Sequence, residues 1–175
     1  PMDQELSEIY AATVELLASQ ADLLSFGSSG GEWAVLALWR SDATSMDDSE
    51  IASYYMTVVD AAKNSNNGKL SATKSTDNSR VVIALAALGL DPSDIEGVDL
   101  LAPLADMDYL DKQGVNGPIW ALIAFDAVRD KPIPAVAEGG SQATREGLID
   151  YILNARTADG GWALYGGTVA DPDVT

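Results

Sequence analysis

The sequence predicts an all-α fold, an α/α toroid of repeated helical hairpins, and three observations predict it. Segments with apolar residues on one helical face alternate with shorter segments that are apolar on nearly every side. The all-apolar segments EWAVLAL, SRVVIALAAL and PIWALIAFDA recur at intervals of about 40 to 50 residues, each after a glycine-bearing turn, as in stacked supersecondary units. No stretch sustains the period-two alternation of a half-buried strand. The simplest packing of such a pattern puts the apolar helices in an inner ring and the amphipathic ones outside. A superhelical solenoid of helix pairs has the same period but makes both helices of each pair amphipathic.

The elements follow in order. Asp3 to Gln20 places Leu6, Ile9, Tyr10, Val14 and Leu17 at helical spacing, an amphipathic helix. GSSGG, Gly27 to Gly31, reads as a hairpin turn, and the helix from Glu32 is apolar all round over Trp33 to Trp39, so it is expected to be covered on every side. Ser45 with Asp48 three residues on offers a cap for a second amphipathic helix to Asn64, whose face is Ile51, Tyr54, Tyr55, Val58 and Val59. NSNNGK ends it, and Asp77 or Asn78 is placed to cap the apolar run that stops at Gly89 before Asp91-Pro92. In the third round Pro103 breaks VDLLAPLADMDYLDK into two short helices, after which Ile119 to Val128 is again apolar. The fourth opens with SQATREGLIDYILNART, with Leu148, Ile149, Ile152 and Leu153 on one face, then DGGW. Its inner helix is expected to start near Asp173, two residues before Thr175. The expectation is therefore one domain over residues 1–175, an incomplete ring cut short on its C-terminal side.

Composition excludes much chemistry. There is no cysteine and no histidine, hence no thiolate nucleophile, disulfide, Ser-His-Asp set or His/Cys metal site. No phosphate loop or dinucleotide-binding glycine pattern occurs in a strand-to-helix setting. Ten Lys and Arg against 27 Asp and Glu give a net charge of -17, which repels nucleic acids and anionic membranes and suits a solvated surface in an extracellular or high-salt setting. The longest apolar run, Val81 to Leu90, is half of the roughly 20 residues that span a bilayer, so no membrane insertion is expected.

Tyr151, Ile152, Gly160 and Trp162 carry a more specific pattern. They resemble the prenyltransferase and squalene oxidase repeat of terpenoid cyclases and protein prenyltransferase β subunits: an aromatic and an aliphatic residue, a glutamine four further on, then Gly-x-Trp. Arg156 stands where the glutamine belongs. Gly160 and Gly161 allow a tight turn and Trp162 offers a flat surface to pack over the preceding helix end, so Tyr151, Gly160, Gly161 and Trp162 are structural candidates. From about Glu32 to Thr175 the chain also looks like bacterial, often secreted, proteins that carry this repeat without recognised chemistry, through GEWAVLAL, NGPIWALIAFD, TREGLIDYIL and DGGWAL. That resemblance implies an extracellular or cell-surface location.

The resemblance also frames the chemical candidates. Alkene-protonating cyclases use Asp-x-Asp-Asp before an inner helix; here Asp171-Pro172-Asp173-Val174 stands there, so Asp173 matches the acid but lacks its neighbouring partner and reads as a helix cap. The zinc site of the prenyltransferases needs Cys and His, which this chain lacks. Asp106 with Asp108, and Asp47, Asp48 and Glu50, are oxygen-ligand clusters that fit no complete cation loop and read as solvated helix starts. No metal and no cofactor is expected. Trp33 and Trp120 fall near the starts of inner helices, where they serve ordinary repeat packing or wall the mouth of a toroid cavity, and Arg80 is placed to clamp an anion there or to pair with Asp77. The expected function is a non-catalytic toroid module that binds an apolar small molecule or a neighbouring domain on its concave face; the alternative is a cyclase or prenyltransferase whose catalytic residues lie outside this stretch, and a third reading is a structural spacer. Open edges of the arc predict self-association.

Overall fold

The computed structural model describes residues 2–20, 24–28, 30–41 and 46–175, and within them the protein is all-α, with seven α-helices and no strand. Ser45 and Ser29 of the GSSGG turn lie outside the described residues. The helices are α1 (Met2–Ala18), α2 (Gly31–Trp39), α3 (Asp48–Lys63), α4 (Ser75–Ala87), α5 (Met107–Leu110), α6 (Asn116–Ala127) and α7 (Arg145–Asn154). Short 3-10 turns, Ala102–Ala105 and Asp111–Gln113, flank α5. The third amphipathic segment does form short helical pieces, but the break between them falls at Asp106, and Pro103 instead sits in the first turn of the first piece, where its missing N–H costs nothing.

The apolar helices pack side by side in chain order: α4 lies between α2 and α6, with α1 against α2 and α7 against α6. Val81, Val82, Ala84 and Leu85 of α4 are fully buried between the apolar helices α2 and α6. Tyr54, Val58, Val59 and Ala62 form the buried face of α3. No helix among the described residues is long and apolar enough to cross a membrane.

Capping follows local chemistry more than the expected positions. α3 starts on Asp47, whose carboxylate accepts from the N–H of Glu50 at 2.8 Å while Glu50 accepts from the Asp47 N–H at 2.9 Å, a reciprocal box that satisfies two orphan donors. The Asp47, Asp48 and Glu50 cluster is thus a helix start. α4 is not capped by Asp77 or Asn78, which lie inside it; Lys74 is its N-cap residue and makes no side-chain cap bond. Gln113, from the turn before α6, accepts there instead from the Thr76 N–H at 2.8 Å. α4 ends as a Schellman motif, with Leu90 N–H donating to Leu85 C=O at 2.9 Å and Gly89 N–H to Ala86 C=O at 3.1 Å. Gly89 has φ +76°, where a side chain is strained.

Two expectations of complete coverage fail. Trp33, Trp39 and Ile123 are 48%, 36% and 42% exposed, so α2 and α6 each keep a bare stripe. On α1, Leu6, Ile9 and Tyr10 point to solvent and only Val14 is buried; on α7, Leu148 is buried while Ile149 and Leu153 are exposed. These two helices have a packed neighbour on one side only, so half of each apolar surface finds nothing to cover it.

Candidate ligand-binding groove

The incompletely covered apolar side chains of the three central helices meet at one surface depression. Leu36 of α2, with Arg40 just past its end, Ile83, Ala86 and Ala87 of α4, and Ala127 of α6 line one depression of about 330 Å³. Helical spacing continues the stripes toward the N-terminal ends, to Trp33 on α2, Arg80 on α4 and Ile123 and Trp120 on α6. Trp33 and Trp120 meet there, with ring centroids 5.3 Å apart and planes tilted by 60°, the edge-to-face range that aromatic quadrupoles favour. The structure therefore brings together the two tryptophans singled out in the sequence.

Arg80 is beside them but occupied. Its Nη2 donates to Asp77 Oδ1 at 2.8 Å, the pairing that the sequence offered as one alternative, and its Nε donates to Glu32 Oε2 at 3.4 Å. Glu32 is 2% exposed and was invisible to sequence reading, because its neighbours Gly31 and Trp33 mark an ordinary helix start. It tolerates burial through three effects: it lies in the first turn of α2, it pairs with Arg80, and the Tyr54 hydroxyl donates to it at 3.5 Å. Burial, then the Glu32 charge, push the Tyr54 hydroxyl pKa well up, so Tyr54 stays a neutral donor. With two carboxylates on one guanidinium, an incoming anion would meet a charge already compensated.

The other candidates lie elsewhere. Asp173 is exposed on a turn near the C-terminal end, and its N–H donates to Asp171 Oδ1 at 2.9 Å; the capping carboxylate is that of Asp171, while Val174 and Thr175 N–H donate to the Asp171 carbonyl. Asp106 accepts from the Asp108 N–H as the cap of α5 and pairs with Lys69 at 3.4 Å, both at the edge of a hollow of about 460 Å³ beside loop residues 135–140. That hollow holds Asp106 and Asp108 of the sequence candidates but neither Trp33, Arg80 nor Trp120, and its lysine is already paired. Among the described residues no three carboxylates gather as a cation site.

The Tyr151 to Trp162 pattern forms a local lock. Trp162 Nε1 donates to the Ile152 carbonyl at 2.7 Å, so the indole packs over the end of α7. Arg156 adds a polar tie: its Nη2 donates to the Gly160 carbonyl at 3.0 Å and its guanidinium lies 5.6 Å from the Trp162 ring. Gly160 has φ +96°, and a Cβ on Gly161 would stand 2.5 Å from Ala170 Cβ, so both glycines are required by the turn. Tyr151 donates to the Asp111 carboxylate, tying α7 to the turn before α6, and burial with that bond raises its pKa to about 12.

Comparison with protein-family models, with curated proteins and with solved structures finds no match for this chain.

Proposed function

We propose that this protein is a non-catalytic α/α-toroid module of the prenyltransferase-like kind, an arc rather than a closed ring, from a secreted or cell-surface protein, and that it holds an apolar ligand in the groove between α2, α4 and α6. The observation that carries this reading is the meeting of half-buried and exposed apolar side chains from three helices in one depression, with Trp33 against Trp120 near it. Helices this apolar are normally buried all round, and a folded protein that leaves such a groove open gains by filling it. Its volume is at the lower end of the roughly 300–1,000 Å³ of small-molecule sites. The acidic surface, at net charge -17, favours a neutral or cationic ligand over an anion.

The test is a titration with the neutral dye Nile red, read by its own emission and by quenching of Trp33 and Trp120. Saturable binding that Ile83→Asp weakens at least about tenfold, the effect of placing a charge in an apolar contact, is the expected result. Absence of saturable binding, or equal binding by the variant, would remove the groove as the site. The cyclase alternative gains no support from Asp173, which is exposed on a turn away from the groove.

A further inference from the structure

A hollow of about 260 Å³ lies where α7, the turn before α6 and the stretch after Trp162 meet. The sequence there is Leu164-Tyr165-Gly166-Gly167, a tyrosine among glycines with no apolar run to bury it. Tyr165 is accordingly 72% exposed, and it borders the hollow together with Tyr151 and Asp111. The rest of the lining is glycine, alanine, Val115 and Leu164, so the Asp111 carboxylate is its one charged group. The walls are tied to each other. Val115 N–H donates to the Leu164 carbonyl at 3.0 Å, and Gly166 N–H to the Ala163 carbonyl at 3.3 Å. Gly114 has φ +56°, and a Cβ there would stand 1.7 Å from the Leu164 carbonyl oxygen and 3.1 Å from Tyr165 Cδ1. Only glycine therefore lets the edge of the Tyr165 ring seat against this turn. The Tyr151 hydroxyl donates to Asp111 Oδ1 and fixes the carboxylate, whose Oδ2 accepts no bond from the described residues.

We infer that this hollow binds a small organic ammonium ion of the trimethylammonium kind, held against the Tyr151 and Tyr165 rings with Asp111 as its counter-ion. Aromatic rings and a carboxylate around a small space suit a bulky, weakly hydrated cation, because the ring quadrupole attracts its charge while its methyl groups leave water readily. The charges on the molecule agree. No basic side chain lines the hollow to neutralise Asp111. The adjacent Lys112 is engaged elsewhere, its Nζ donating to the Ala72 carbonyl at 3.1 Å. Ala155, the C-cap of α7, also lines the hollow, and the carbonyl end of a helix carries partial negative charge. At longer range the net charge of -17 draws cations in and turns anions away. A hard metal ion is a poorer fit, since it takes about six or more oxygen ligands and one carboxylate supplies two. The volume lies below the roughly 300–1,000 Å³ of drug-sized sites, so a single head group fills it. The inference is independent of the groove between α2, α4 and α6.

Amide NMR during titration with choline chloride tests it, with sodium chloride at matched ionic strength as the blank. Saturable shifts are expected at the Gly114, Leu164 and Tyr165 amides. The uncharged isostere of choline, dimethylbutanol, has carbon in place of the quaternary nitrogen, and it is expected to bind at least about fivefold more weakly. Tyr165→Ala and Asp111→Asn are each expected to weaken choline by about two- to fivefold. Both variants should keep the wild-type circular dichroism, because both side chains are exposed and the amide of Asp111→Asn still accepts from Tyr151. A choline titration that does not saturate at these amides would overturn the site. So would an isostere that binds as tightly as choline, which would make the hollow merely apolar. Either variant binding choline as tightly as the wild type would also overturn it, since the attraction would then come from the diffuse acidic surface.

Discussion

Replacing Asn78 is the severest single test of how the loops are tied to the central helix. This side chain is fully buried in the first part of α4. Its Nδ2 donates to the Gly68 carbonyl at 2.7 Å and to the Leu100 carbonyl at 3.2 Å, and its Oδ1 accepts from the Leu70 N–H at 3.0 Å. The Tyr109 hydroxyl approaches at 3.4 Å but has the Ser71 carbonyl at 2.6 Å, so it loses little. Asn78→Ala removes three good bonds and leaves buried backbone groups unpaired, at about 1–1.5 kcal/mol each net, for a loss of about 3–5 kcal/mol. For a chain of this size that lowers Tm by roughly 6–20 °C. Urea unfolding at neutral pH measures it. Asn78→Asp sharpens the reasoning, because it keeps the acceptor but turns a carboxylate on two carbonyls; it should be worse than Ala at pH 7 and recover as the pH is lowered and the acid protonates into a donor. A loss below about 1 kcal/mol for Asn78→Ala, or an Asp variant indifferent to pH, would refute the account of this site.

Further expectations follow from the same geometry. Gly89→Ala should cost about 1–2 kcal/mol through its positive φ, with Gly89→Asn closer to wild type, by thermal unfolding; equal stability of all three would contradict the Schellman assignment. Hydrogen bonds from Lys131 and Ser93 hold the Asp91 carboxyl down to about 2, so its contribution is present above the unfolded value near 4 and is lost as pH falls through about 2. Asp91 is half exposed, so Lys131→Met should flatten this acid limb by well under 1 kcal/mol, and a larger effect would point to a role beyond that pair. Burial and the charge of Asp77 raise the Tyr109 hydroxyl to about 12; its neutral form stabilises the fold below the unfolded value near 10, and that stability is lost as pH rises from 10 through 12, which Tyr109→Phe should abolish in alkaline unfolding curves.

Most of the helices were legible in the sequence because periodicity reports burial along one element. The apolar runs of α2, α4 and α6 and the stop at Gly89 all depend on residues within a few positions of each other. What was not legible depends on partners distant in sequence. Asn78 looks like a helix cap locally, yet its partners are Gly68, Leu70 and Leu100; the α4 start is served by Gln113; and Glu32 is buried only because Arg80 and Tyr54 arrive from two other helices. Coverage was overestimated for the same reason, since the apolar face of α1 or α7 does not say how many neighbours stand beside it. Trp33 and Trp120 were picked out separately by helix position, and their meeting is a tertiary fact. Neither the bond of Arg156 to the Gly160 carbonyl nor its place beside the Trp162 ring was legible, since both depend on how the turn closes.

The central claim is that the groove between α2, α4 and α6 receives an apolar ligand, and methyl-detected NMR during titration with the neutral alcohol dodecanol tests it most directly. The account predicts saturable shifts at the Leu36, Ile83 and Ile123 methyls and at the Trp33 and Trp120 indole N–H signals, with Ile149 and Leu153 unmoved. Shifts confined to the exposed stripes of α1 or α7, or no saturable shift anywhere, would contradict it.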